Sequence, residues 1–178
     1  MQSFLVKEFV DYASERFGVT VAERLLANSP LDSRERFSGW KYIHPEELSI
    51  LADILARETG VSRAELLVDY GRFMFRTLVN LPLLHPPCED LFAYLESIEG
   101  GLCAELDALF PHLEFPGLGC RRLDDNTLEF VYSSRRELGD LAEGLLRASV
   151  NHFDEPVSIE RFNDPQDPKR VRFLLTRV

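Results

Sequence analysis

The sequence has no basic stretch. Its 178 residues hold 20 Lys and Arg against 30 Asp and Glu, a formal charge of −10. Nucleic-acid binding needs Lys and Arg gathered on one face to displace counterions from phosphates, so this composition argues against it. A long apolar run is also missing. The longest, Phe73 to Leu84, is interrupted by Arg76 and Asn80 and is too short to cross a bilayer as a helix. The first residues, Met1 to Phe9, place Lys7 and Glu8 in an amphipathic pattern unlike a secretory signal, so the chain is expected in the cytoplasm, away from membranes. Cysteine is scarce: Cys88, Cys103 and Cys120 are odd in number and widely spaced, which fits reduced thiols rather than a disulfide framework. No Ser-His-Asp order, glycine-rich phosphate loop, nucleophile elbow or acid-base carboxylate pair occurs, so the chain is not read as an enzyme. His85 with Cys88, and His112 with Cys120, follow no zinc spacing.

What is present is enough apolar material for one core, with 45% hydrophobic and 11% aromatic residues. Phe4, Leu5, Phe9, Val10, Ala13 and Phe17 recur at helical spacing before Gly18, which predicts a helix over 3–17. A short helix over 21–27 follows, then one opened by Pro45 and closed by Gly60. Ser62 and Glu65 form a capping box for a helix running towards Pro82. Leu91, Leu95, Ile98, Leu102, Leu106 and Leu109 line one side of a long helix over about 89–109, ended by Pro111. After Pro116 the period changes to alternation, with strands at 120–123 and 128–132 about an Asp124-Asp125-Asn126 turn. A helix over 137–152 and strands at 157–162 and 171–178 complete an α+β order.

Two stretches carry possible chemistry. On a strand continued past Tyr132, Ser134 and Arg136 share the face of Leu128 and Phe130, so an apolar face ends in a phenol, a hydroxyl and a guanidinium. That set suits a ligand with an apolar body and a carboxylate end, although a strand turning polar at the surface has the same residue types. In the long helix, Gly100 and Gly101 sit side by side at a cost of about 1 kcal/mol each relative to alanine. Cys103 falls within about 20° of Phe92 and Phe110 around that helix. Its sulfur is either a soft ligand for a metal such as haem iron or a small buried hydrophobe.

On these residues the chain resembles the haem nitric oxide/oxygen binding (H-NOX) family over nearly its whole length. Tyr132, Ser134 and Arg136 match that family's Tyr-x-Ser-x-Arg motif. Phe110-Pro111 matches its aromatic-Pro pair, and Pro116 stands where it has a proline pressing on the porphyrin. The opening Phe4-to-Phe17 helix, the Gly71-Arg72 pair and the terminal Leu-Leu-Thr-Arg strand are also similar. One position departs: Cys103, eight residues before Pro111, stands where the family has its proximal histidine.

The resemblance implies an N-terminal helical lobe, about 1–60, packed on pocket helices and a four-stranded antiparallel sheet with an inserted helix, about 61–178, in one sensor domain with a haem pocket between. It implies haem b, with Tyr132, Ser134 and Arg136 on its propionates and Phe9, Met74, Leu78, Pro116 and Leu141 lining the pocket; with the histidine replaced, the first reading has the Cys103 thiolate as iron ligand, and a second has haem held by the clamp and pocket with another iron ligand. Phe9, Met74, Leu78 and Leu141 are all apolar, and Leu141 takes the place of an oxygen-holding tyrosine. The expected ligands are therefore nitric oxide and carbon monoxide rather than oxygen. The expected output is a histidine kinase or cyclic-di-GMP enzyme on a separate polypeptide. The alternative is a haem-free scaffold of the same fold that binds another hydrophobic ligand or a protein.

Overall fold

The computed structural model describes residues 2–29, 47–80, 87–99 and 116–178. The chain divides into two compact units, Met1–Tyr70 and Gly71–Val178.

In the first unit, α1 (Gln2–Phe17), α2 (Val19–Ala27) and α3 (Glu47–Thr59) pack on one another, and the start of α4 (Arg63–Leu78) joins them. The helical spacing of Phe9, Tyr12 and Ala13 puts all three on the buried side of α1, while Leu25 of α2 and Leu51 and Leu55 of α3 are fully enclosed. Gly18 ends α1 with φ 94°, and Gly60 follows α3 with φ 73° and returns its N–H to the Ala56 carbonyl at 2.9 Å. Both are left-handed positions that glycine takes without a Cβ clash. The capping box at α4 forms in both directions: Glu65 N–H donates to Ser62 Oγ at 3.2 Å, and Ser62 N–H donates to Glu65 Oε2 at 3.2 Å. The Pro45 helix start lies outside the described residues, and α2 begins two residues before its predicted start.

The second unit has α5 (Leu91–Ser97), then β1 (Gly117–Arg122), β2 (Thr127–Ser133), α6 (Gly139–Phe153), β3 (Val157–Asn163) and β4 (Arg170–Arg177). The four strands form one antiparallel sheet in the order β1-β2-β4-β3, with α6 inserted between the two hairpins. This is the α+β architecture expected. Asp90 sets the start of α5 by accepting the Ala93 N–H at 2.8 Å, which moves the boundary from Glu89 to Leu91. A π-type turn follows at 98–99, and the remainder of the predicted long helix, with Gly100, Gly101, Cys103, Phe110 and Pro111, lies outside the described residues.

One face of the sheet, Leu128, Phe130 and Tyr132 of β2 with Val171, Phe173 and Leu175 of β4, is buried. The antiparallel register sets these directly opposite: Leu128 with Leu175, Phe130 with Phe173, Tyr132 with Val171. Burying these six side chains stabilises the unit by about 1.5–3 kcal/mol per large apolar residue, before chain entropy is set against it. Arg161 on β3 holds α6 to this face through Asp140 and through Glu143 at 3.1 Å. Gly71 of α4 lies against α6 so closely that a Cβ would come to 2.9 Å from the Gly144 Cα and nearer still to the Leu141 carbonyl oxygen.

Candidate functional site

Tyr132 is the last inward-facing residue of β2 and is 7% exposed. β2 stops at Ser133, so Ser134 and Arg136 do not continue the strand's alternation as the sequence suggested. They are brought to Tyr132 by a turn. Ser134 Oγ accepts the Arg136 N–H at 3.2 Å, the Glu137 N–H donates to the Ser134 carbonyl at 3.2 Å, and Glu137 adopts φ 52°. A serine hydroxyl bonding the backbone two residues on replaces the next ladder bond, which is why the strand ends here. The Ser134 N–H donates across to the Lys169 carbonyl at 2.9 Å, and so fastens this turn to the β3–β4 loop.

The three side chains interact. Burial pushes the Tyr132 phenol above its ordinary value, and the hydrogen bond with Ser134 and the charge of Arg136 act in the opposite direction. At neutral pH the group is a protonated donor. A neutral phenol, a hydroxyl and a guanidinium at the edge of an apolar face are residue types whose donors suit an anion.

The apolar positions fall in both units. Phe9, in the first, is fully buried, with its ring edge-on to Tyr70 at 5.0 Å between centroids. The two tyrosine hydroxyls beside it are engaged: Tyr70 donates to the Leu5 carbonyl at 2.7 Å and Tyr12 to Asp69 Oδ2 at 3.2 Å. In the second unit Met74 and Leu141 are buried, and Leu78 and Pro116 are half-buried. Cys103 lies outside the described residues. Of the other thiols, Cys120 is half-buried, and burial with the neighbouring Glu96 and Glu99 carboxylates pushes it up to about 12, so it stays a thiol at neutral pH. Among the described residues no group of three or more His, Cys, Asp or Glu side chains is arranged to hold a metal ion.

The sequence profile of the haem-NO-binding family matches residues 2–161. The chain belongs to that family. H-NOX domains bind haem and diatomic gases and act as sensors. No curated protein sequence matches the chain. Among solved structures, the H-NOX protein from K. algicida, in its unliganded Fe(II) state, is 23% identical with a TM-score of 0.87, and the match covers 100% of this chain and 97% of that one. The S. oneidensis H-NOX in its Fe(II)NO state is 19% identical with a TM-score of 0.87, over 100% of this chain and 99% of that one. The Shewanella woodyi H-NOX, bound to IWP-051 in the Fe(II)CO state, is 28% identical with a TM-score of 0.83, over 100% and 95%. The H-NOX fold is therefore shared along the full chain. Among the described residues no helix is long and apolar enough to cross a membrane.

Sequence reasoning missed the Lys169 carbonyl that fastens Ser134, because a backbone acceptor has no residue-type signature. It also missed Arg161, whose position in an alternating strand reads as one more surface charge.

Proposed function

We propose that this chain is a cytoplasmic haem-based gas sensor that binds nitric oxide and carbon monoxide rather than oxygen and signals to a separate effector protein. The observation that carries the reading is the interacting set Tyr132, Ser134 and Arg136 at the end of the buried Leu128-Phe130-Tyr132 face. That donor set fits the carboxylates of haem b, and the apolar strand face fits its macrocycle. When bound, haem supplies an iron that takes up a diatomic gas. Arg136 contributes charge and a forked donor pair, Tyr132 a buried neutral donor, and Ser134 both a hydroxyl and the turn that orients Arg136. Cys103 is assigned as the iron ligand on its position eight residues before Pro111. Met74, Leu78, Pro116 and Leu141 line the proposed pocket. None of the four offers a hydrogen-bond donor from its side chain. Bound oxygen, which needs such a donor, is therefore disfavoured. The effector is a histidine kinase or a cyclic-di-GMP enzyme.

The test is an absorption series on protein purified with ample haem precursor, as ferric, reduced and carbon monoxide-treated samples. A Soret band with the red-shifted carbon monoxide form of thiolate-ligated haem is expected, lost on Cys103→Ala. Arg136→Ala is expected to weaken hemin binding by about tenfold or more. Absence of a Soret band after adding hemin favours the second reading, a haem-free scaffold for another hydrophobic ligand or a protein, which the missing histidine at position 103 supports.

A further inference from the structure

The sheet has a second face. The first face meets helices: Arg122 reaches Glu96 of α5, Arg161 reaches Asp140 and Glu143 of α6, and Val171 meets Gly139 of α6. Among the described residues, the ion pairs and ring contacts of the alternate residues on the same strands are with one another. Arg121 pairs with Glu129 directly opposite at 3.0 Å, Arg172 reaches the same carboxylate at 3.3 Å, and the Arg172 guanidinium lies 4.7 Å from the ring centroid of Phe162, its partner across the ladder. Val131 and Leu174 sit half-buried between them. Phe162 is 39% exposed, and the Arg121 and Arg172 side chains are 70% and 52% exposed.

The charge of this face runs against that of the chain. It carries Arg121, Arg170 and Arg172 against Glu129 and Glu160, and Glu129 is shared by two arginines, on a protein with a formal charge of −10. With three arginines against two carboxylates on a chain that is acidic as a whole, this face favours an acidic partner and helps to orient the encounter. Exposed Arg and Phe around an apolar centre are also the residue types that anchor protein interfaces. The face lies one strand thickness from the face that ends in Tyr132, since Val131 stands between Phe130 and Tyr132, and Arg172 between Val171 and Phe173.

We propose that this outer sheet face, centred on Val131, Leu174 and Phe162 and rimmed by Arg121, Arg170 and Arg172, docks an acidic amphipathic segment of a partner protein. Calling that partner the effector rests on the sensor reading; the docking itself does not. A shift of β2 or β4 at Tyr132 or Val171 moves Val131 and Arg172 with it, because neighbours along a strand share one backbone.

The experiment uses isotope-labelled full-length chain, with and without hemin. The probe is a synthetic helical peptide of repeating Leu and Glu, with its Leu and Lys counterpart as control. Amide shifts are expected at Val131, Arg172 and Leu174 with the acidic peptide only. Affinity is expected to fall about tenfold or more in Arg172→Glu, less in Arg172→Gln, and to weaken with added salt. Far-UV circular dichroism checks that both variants fold. Shifts on another surface, or unchanged affinity in Arg172→Glu, overturn the proposal. So does binding to phosphatidylglycerol vesicles that Arg172→Glu abolishes while the peptide leaves this face unshifted, because the face is then a lipid contact. Peptide binding without any hemin binding leaves the docking face standing and removes the sensor reading; hemin binding without peptide binding does the reverse.

Discussion

The Ser134 N–H donates to the Lys169 carbonyl oxygen at 2.9 Å, so the turn that carries Ser134 and Arg136 is held by the loop between β3 and β4. That loop is itself ordered by Asp167, whose Oδ1 accepts the Lys169 N–H at 3.1 Å and whose carbonyl accepts the Arg170 N–H at 3.0 Å.

Asp167→Ala removes the side-chain bond and leaves every proposed ligand-binding residue in place. A hydrogen bond of this kind contributes about 1 kcal/mol. Hemin affinity is expected to fall by about fivefold, with an unaltered absorption spectrum, since nothing near the iron changes. Hemin titration checks both, and an affinity equal to wild type removes the loop from the positioning of Ser134.

Tyr132→Phe keeps the ring in the core and deletes the hydroxyl bonded to Ser134. Stability is expected to drop by about 1 kcal/mol from the lost buried bond, read as the urea midpoint. Hemin affinity is expected to fall further than that loss accounts for, because the deleted hydroxyl is also a proposed ligand donor. Equal losses in Tyr132→Phe with and without hemin make the hydroxyl purely structural.

Glu143 gives the fold a pH dependence. Burial alone raises its carboxyl, but the hydrogen bonds and charges of Arg147 and Arg161 outweigh that and hold it below its usual 4.5. A depressed carboxyl contributes stability that is complete above its unfolded value and is lost as pH falls through its folded value. The thermal midpoint is expected to decline on acidification below about pH 4.5. In Arg161→Gln one opposing partner is gone, so the folded and unfolded values lie closer together and the decline is smaller. Superimposable pH profiles for wild type and variant contradict this.

Cys120 is held as a thiol by burial, helped by Glu96 and Glu99. Because the thiolate is the reactive form, iodoacetamide is expected to label it at least about tenfold more slowly in the folded chain than in urea at neutral pH. Peptide mass spectrometry distinguishes it from Cys88 and Cys103. Equal rates in the two states contradict the assignment.

Much of the fold is legible residue by residue. The Phe9-Tyr12-Ala13 stripe, Gly18 and Gly60 as stops, the Ser62-Glu65 box and the alternation of Leu128, Phe130 and Tyr132 all act over a few residues, and each element appears within a few residues of where these signals put it. The candidate site was legible only in part. Alternation brought Tyr132, Ser134 and Arg136 to one face on paper, whereas in the molecule β2 ends at Ser133 and a hydroxyl-capped turn gathers them. Side chain and ladder compete for the same backbone N–H, and that competition is settled by what the neighbouring loop offers.

The sequence by itself determined the periods, the caps, the acidic balance and the cysteine at position 103, because each depends on residue identity and short spacing. Tertiary structure alone decided that Lys169 holds Ser134, that Gly71 meets the backbone of α6, and that Glu99 accepts the Cys120 N–H on edge strand β1 at 3.0 Å. These contacts use backbone atoms common to every residue type. Only the path of the chain brings such atoms together, so no residue-type pattern announces them.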